Sequence, residues 1–211
     1  MNSRPISKRI KRAADVLLSG VALTASLPLW LATAILVKVE SKGPVFFVQK
    51  RVGKDGKPFS AYKFRTMVQG AADKGAGLFI EGQDDPRITR AGRFLRRWSL
   101  DELPQFINIL RGEMSVVGPR PTLLYQVEQY DQFQRRRLEV KPGITGWAQI
   151  HGRNVLSWPE RIEYDVWYVD NWNIALDVEI ILRTFRVLFQ REGLYAGKEK
   201  FLIRPQDEEP R

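Results

Sequence analysis

The sequence predicts an α+β chain: mostly helical, with a small β-hairpin, an N-terminal re-entrant membrane helix and C-terminal amphipathic helices. Three observations carry this reading. An uncharged apolar stretch with Pro28 inside it runs between Asp15 and Lys38. A β-prone run, Val45-Phe46-Phe47-Val48, precedes the turn residues Gly53-Lys54-Asp55-Gly56. Beyond residue 87, apolar residues recur mainly at helical spacing. The chain divides into a basic N-terminus with a helix-break-helix membrane segment (1–40), a domain expected over 41–197 and a polar tail (198–211).

Residues 16–37 are slightly more than the roughly 20 needed to cross a hydrocarbon core. Pro28 removes a backbone donor and clashes with the preceding turn, so the helix should kink or break there. The arms on either side, roughly 18 and 14 Å at about 1.5 Å per residue, are each too short to span. Arg4, Lys8, Arg9, Lys11 and Arg12 precede the segment, and Lys38, Lys42, Lys50 and Arg51 follow it. The positive-inside tendency places both flanks in the cytoplasm, which a re-entrant hairpin satisfies and a straight span does not. Ser26 is placed to bond a carbonyl that Pro28 frees. A straight span, a signal peptide and a buried soluble helix are the competing readings of this stretch.

The hairpin occupies 44–67, with Phe59, Ala61 and Phe64 in its return strand. The glycine-bearing stretch 69–85 reads as a loop. Residues 87–98 are basic and end in helix. In 100–111, Leu103, Phe106, Ile107 and Leu110 share a helical face, and Gly112 suits its end. Ser99 followed by Glu102 fits a capping box, so this helix is expected to begin near Asp101-Glu102, with Pro104 in its first turn. A further helix is expected over 123–139, a loop or short strand over 141–154, and helices over 159–170 and 177–189. In the last of these, Val178, Ile181, Leu182, Phe185, Leu188 and Phe189 form one stripe that suits either a soluble core or a membrane interface.

Composition narrows the chemistry. Among 211 residues there is no cysteine and a single histidine, His151. That removes disulfides, Cys-ligated metals, thiol nucleophiles and multi-histidine metal sites. Catalysis must fall mainly to Asp, Glu, Lys or hydroxyl groups, and a loop hydrogen bond is the expected role of His151. The net charge of +10 favours anionic partners.

Asp101-Glu102 lies in Arg96-Arg97-Trp98-Ser99-Leu100-Asp101-Glu102-Leu103-Pro104-Gln105. Taken alone, the acids are explained first by helix capping; the functional reading is a carboxylate nucleophile with an acidic neighbour, held beside Arg96 and Arg97. In Gly118-Pro119-Arg120-Pro121 two prolines restrict Arg120, and a fixed guanidinium suits bidentate phosphate binding, although an ordinary proline-rich turn has the same composition. Arg153 is a weaker phosphate or nucleotide candidate.

These segments occur in a fixed order with Tyr62-Lys63-Phe64-Arg65-Thr66-Met67, Asp84-Asp85-Pro86-Arg87-Ile88-Thr89 and Lys141-Pro142-Gly143-Ile144-Thr145-Gly146-Trp147. Lys11-Arg12-Ala13-Ala14-Asp15 and the proline-interrupted apolar segment come first. Over about residues 8–192 the chain resembles the monotopic bacterial sugar transferases, the polyprenyl-phosphate phosphoglycosyl transferases, in their minimal catalytic form without additional preceding membrane spans. The resemblance implies transfer of a phospho-sugar from a UDP-sugar to polyprenol (undecaprenyl) phosphate, with release of UMP, at the bacterial inner membrane. It maps the nucleophile onto Asp101, its partner onto Glu102 and phosphate contacts onto Arg96 and Arg120. It implies Mg2+ as cofactor, with Asp101 and Glu102 as ligands. Magnesium's preference for oxygen, and for few carboxylates, agrees. A lipid bilayer is the expected surface and no nucleic acid is expected, since no zinc finger or RNP motif is present. Oligomeric state is left open. The competing function is a non-enzymatic basic anchor for acidic lipid, which gives no role to Asp101.

Overall fold

A computed structural model describes residues 3–73, 82, 85–152 and 155–190. The tail expected at 198–211, the candidate Arg153 and most of the loop 69–85 lie outside the described residues.

Helix α1 (Ser3–Glu40) contains Pro28 and is helical throughout. The interruption expected at Ser26–Pro28 is therefore not a loss of helix. Proline removes only its own N–H, here the bond to the Thr24 carbonyl, and the turns on each side persist. The Ser26 hydroxyl donates to the Leu23 carbonyl at 3.3 Å, not to the carbonyl that Pro28 orphans, and accepts from the Trp30 indole at 3.0 Å. Leu17, Val21, Leu27, Leu31 and Ile35 are exposed, so this is not the buried helix of a soluble core. Among the described residues it is the one helix long and apolar enough to cross a membrane.

Both ends of α1 nevertheless dock on the same globular body. Asp15 is buried and accepts from the Ser115 hydroxyl and the Val116 N–H. Lys11 donates to Asp177 at 2.6 Å and to the Val117 carbonyl at 3.0 Å. At the other end Val37 packs with Phe64 and Leu95, and Glu40 accepts the Ala91 N–H.

Strands β1 (Phe46–Val52) and β2 (Pro58–Phe64) pair antiparallel, Phe46 opposite Phe64, as the turn residues predict. Asp55 in the turn adopts φ 56°. Alternation along β2 turns Phe59 and Ala61 to the core, and Lys63 follows on the same face. Helix α2 (Arg90–Arg97) is capped by Thr89, whose hydroxyl accepts the Gly92 N–H.

The chain then turns sharply. Ser99 is left-handed (φ 54°), and its side chain makes no cap bond; the capping box expected with Glu102 does not form. A single 3₁₀ turn (Leu100–Glu102) carries the acidic pair, and α3 (Gln105–Leu110) starts only after Pro104. The reason is competition: Glu102 is drawn to two cations instead of back to a backbone N–H.

Strand β3 (Ser115–Val117) pairs in parallel with β4 (Gly143–Thr145). Between them the helix expected over 123–139 is divided into α4 (Leu124–Glu128), α5 (Gln132–Arg135) and a 3₁₀ turn (Arg136–Glu139), because Tyr130 turns into the core and Asp131 starts a new helix with its own capping box. Helices α6 (Trp147–His151), α7 (Trp158–Asn171) and α8 (Ile174–Gln190) complete the body. On α8 the core face is Leu176, Asp177 and Ile180; Val178, Leu182, Phe185 and Phe189 of the apolar stripe are exposed. Ile181 of the stripe packs against the core and Leu188 is half-buried, so the stripe only borders the core face of this helix.

Candidate active site

A cavity of about 910 Å³ lies between the hairpin, the 3₁₀ turn, the turn after β3, and α6, α7 and α8. Asp101, Glu102, Arg96 and Arg120 all line it. Each reaches it for a local reason. The left-handed Ser99 bends the chain so that the 3₁₀ turn faces inward. Arg96 ends α2, with Nε donating to the Thr66 hydroxyl at 2.8 Å. Arg120 follows β3, where Gly118 donates its N–H to the Thr145 carbonyl and Arg137 donates to the Arg120 carbonyl. Arg97 is exposed and lines no part of the cavity, so of the two arginines before the acidic pair only Arg96 belongs to the site.

The two adjacent carboxylates are in opposite states. Glu102 Oε1 accepts from Lys63 Nζ at 2.6 Å and from Arg120 Nη2 at 2.7 Å. Burial alone would raise its pKa, but Arg120 and Lys63 outweigh burial and hold it well below the glutamate range. Asp101 is also buried, yet among the described residues its carboxylate accepts no hydrogen bond. Burial pushes the Asp101 carboxyl above the aspartate range, opposed by Lys63 and reinforced by Glu102. The site therefore holds one clamped carboxylate and one open one.

Cations dominate the walls. Arg137 is paired with Asp165 at 2.5 Å, both buried. Arg51, Lys63, Arg65, Arg96, Arg120 and Arg161 also line the cavity, and the other carboxylates in the lining are Asp101 and Glu102. Burial and the Arg120 charge push both Arg51 and Arg161 down to about 10. Such a cavity is built for polyanions. Lys63, Arg51 and Arg161 were not singled out by sequence reasoning. The one available signal was Lys63 inside the Tyr62–Met67 motif; its role needed the strand alternation and the partner Glu102.

His151 lines no part of the cavity. Its Nδ1 contacts the Trp147 carbonyl at 2.8 Å and its ring stacks on Tyr164, a structural hydrogen bond as expected, within α6 and not a loop.

For a divalent cation the donor set is small: no cluster of three acidic or imidazole side chains occurs among the described residues. Magnesium takes as few as one or two carboxylates; the two carboxylates of the acidic pair are Asp101, which is open, and Glu102, which already serves two cations.

Comparison with known proteins gives the family. The family described as bacterial sugar transferase matches residues 6–191. The chain is 46% identical to the sugar transferase EpsL of Bacillus subtilis (strain 168), over 88% of this chain and 90% of that protein. It is 45% identical to the UDP-N-acetylgalactosamine-undecaprenyl-phosphate N-acetylgalactosaminephosphotransferase of Aeromonas hydrophila, over 90% of this chain and 46% of the relative. It is 42% identical to the UDP-glucose:undecaprenyl-phosphate glucose-1-phosphate transferase of Escherichia coli (strain K12), over 90% of this chain and 42% of the relative. The chain thus spans less than half the length of the latter two. It belongs to the bacterial sugar transferase family, an enzyme family, which sets aside the non-enzymatic anchor.

Proposed function

We propose that this chain transfers a phospho-sugar from a UDP-sugar to undecaprenyl phosphate, releasing UMP and starting assembly of a glycan, through a phospho-aspartyl intermediate on Asp101. The observation that carries the reading is the inequality of the acidic pair: Glu102 is held by Lys63 and Arg120, whereas Asp101 faces the cavity with its oxygens open.

The steps balance without an external base. An Asp101 oxygen attacks the phosphorus bearing the sugar; the bond from that phosphorus to the bridging oxygen breaks, and UMP leaves with the electron pair. An oxygen of the acceptor phosphate then attacks the same phosphorus and displaces Asp101 as a carboxylate. The raised pKa of Asp101 reflects a poorly solvated, reactive carboxylate. Arg120, Arg96, Arg51 and Arg161 offset the like charge of carboxylate and diphosphate. Glu102 positions Lys63 and Arg120 against the phosphates. Mg2+, held by Asp101 with Glu102 beside it, would neutralise diphosphate charge and polarise the phosphoryl oxygens.

The bilayer is the proposed surface, and the cytoplasmic face of the inner membrane the proposed side. Support comes from the exposed apolar faces of α1 and α8 and from the docking of both ends of α1 on one body. On this reading the cavity lies where a lipid phosphate and a soluble nucleotide-sugar meet.

The test is UMP release from a panel of UDP-sugars with undecaprenyl phosphate, together with intact-mass analysis after incubation with donor alone. A phospho-sugar adduct is expected on the wild type and not on Asp101→Asn, with turnover reduced at least about 1,000-fold in the variant, since an amide is a poor nucleophile. Chelation should stop turnover. Wild-type rates in Asp101→Asn would refute the intermediate.

A further inference from the structure

We infer that the wall formed by Gln149 and Trp158 is a reading site for the nucleobase of the donor, the Gln149 amide pairing with the imide edge of uracil and the Trp158 indole N–H donating to the same nucleoside. The inference rests on the UDP-sugar reading above and adds the residues that would recognise the nucleotide.

Among the cavity-lining side chains, both amide atoms of Gln149, Nε1 of Trp158 and Oδ1 of Asp165 are buried without a hydrogen-bond partner among the described residues, as are Nε of Arg65 and Nε of Arg137. Trp158 and Asp165 are more than nine-tenths buried. Buried polar groups in proteins are nearly always satisfied, so unmet ones lining a cavity call for an explanation, and a bound ligand supplies one. The Trp158 ring is not the available surface. Arg137 and Arg161 lie over it, each 5.5 Å from its centroid, and hold it in place. Its N–H is the unmet group. Asp165 gives its other oxygen to Arg137.

The wall stands next to the phosphate-binding turn. A methyl group at Gly146 would lie 2.8 Å from Gln149 Oε1 and 2.2 Å from the Gly118 carbonyl oxygen, so the Gln149 amide sits against the turn that leads to Arg120. Arg137, over the Trp158 ring, donates to the Arg120 carbonyl. From Asp101 the polar groups run through Glu102 to Arg120 and on to Arg161 and Trp158. In-line displacement puts the leaving group opposite the nucleophile. With Asp101 on the sugar-bearing phosphorus, the departing nucleotide phosphate lies toward Arg120 and its nucleoside beyond, at this wall. The transferred sugar stays on the Asp101 side. An amide offers one donor beside one acceptor, and the uracil imide offers the complement, an N–H beside a carbonyl.

The experiment is equilibrium binding of UMP, N3-methyl-UMP, CMP and GMP to the full chain, as wild type, Gln149→Leu and Trp158→Phe, with thermal melts to establish folding. Wild type should bind UMP at least about tenfold more tightly than its N3-methyl derivative, and Gln149→Leu should lose both that preference and about tenfold in UMP affinity, the scale of losing one buried hydrogen-bonding partner. Trp158→Phe keeps the ring and removes the N–H, and should also weaken UMP. If it fails to fold, Gln149→Leu decides alone. Folded variants with unchanged UMP affinity would overturn the base-reading site and leave the donor reading intact. Variants that alter only the choice among UDP-sugars would assign the wall to the sugar, also overturning it. A wild type that prefers GMP would overturn the donor reading, and the uracil site with it.

Discussion

Asp101 and Glu102 are neighbours in sequence, yet each titrates against a different background, and stability should report it. Asp101 is raised in the folded state by burial. Its contribution to stability is therefore full below the unfolded value, about 3.9 for aspartate, and is lost as pH rises through the folded value. Glu102 is lowered because Arg120 and Lys63 overcome burial. Its contribution is full above the unfolded value, about 4.3, and is lost as pH falls through the folded value. Asp101→Asn should accordingly raise the thermal midpoint at neutral pH, with the gain shrinking toward pH 4. Glu102→Gln should lower stability at neutral pH by about 1–3 kcal/mol, the range for a buried charge losing its partners, discounted because Arg120 is 43% exposed. Melting curves across pH check both, and shifts of the same sign would contradict the assignment. The acid limb of activity should likewise lie above that of an ordinary aspartate. In the sequence the pair was equally legible as a helix cap. Only the positions of Lys63, 39 residues upstream, and Arg120, 18 downstream, show which carboxylate is occupied.

At the scale of elements, the phosphate-binding turn depends on two backbones in contact. A Cβ on Gly118 would meet the Lys141 carbonyl oxygen at 2.3 Å and the Gly143 nitrogen at 3.0 Å, neither of which can rotate away. Gly118→Ala should therefore separate β3 from β4, displace Arg120 and reduce activity by at least about tenfold, since a 1 Å misplacement can cost 100-fold. Gly20→Ala in α1 is the control: nothing lies within 4 Å of the added methyl, and activity should be unchanged. Parallel assays and melts of the two variants check this. The hairpin and the helices α2, α7 and α8 were legible because local periodicity and turn chemistry agree with their final environment. The β3–β4 pair was not, since two three-residue strands separated by more than twenty residues carry no local period.

Across the whole molecule, α1 is both the exposed apolar surface and a structural strut. Lys11 and Arg12, legible in the sequence as flanking charge and as the start of an N-terminal motif, are tied into the body. Lys11 meets Asp177, and Arg12 donates to the Ile109 and Leu110 carbonyls at the end of α3. With Glu40 docked at the far end, both termini of α1 face one domain, which supports a segment that enters and leaves on one side. Replacing Pro28 with Ala or Leu restores the backbone donor that proline lacks and should shift some molecules toward spanning. The check is a cysteine introduced at Asn2, in a chain without native cysteines. In intact cells an impermeant reagent should miss it in the otherwise native sequence and label it more in the Pro28 variant. Strong labelling with Pro28 in place would show a spanning helix.

The sequence by itself determined the α+β class, the apolar N-terminal helix, the hairpin, the major helices and, through several motifs in one order, the family. These depend on local spacing and on residue identity, both readable along a chain. Tertiary structure alone decided which face of α8 is buried, that Ser99 turns the chain instead of capping it, and that Glu102 is clamped while Asp101 stays open. It also decided that, among the described residues, the Gln149 amide and the Trp158 N–H lack a partner in the cavity lining. The reason is physical: burial and Coulomb interactions depend on distance in space, and the groups that set them here come from β2, α2, the turn after β3, α6 and α7, far apart in sequence.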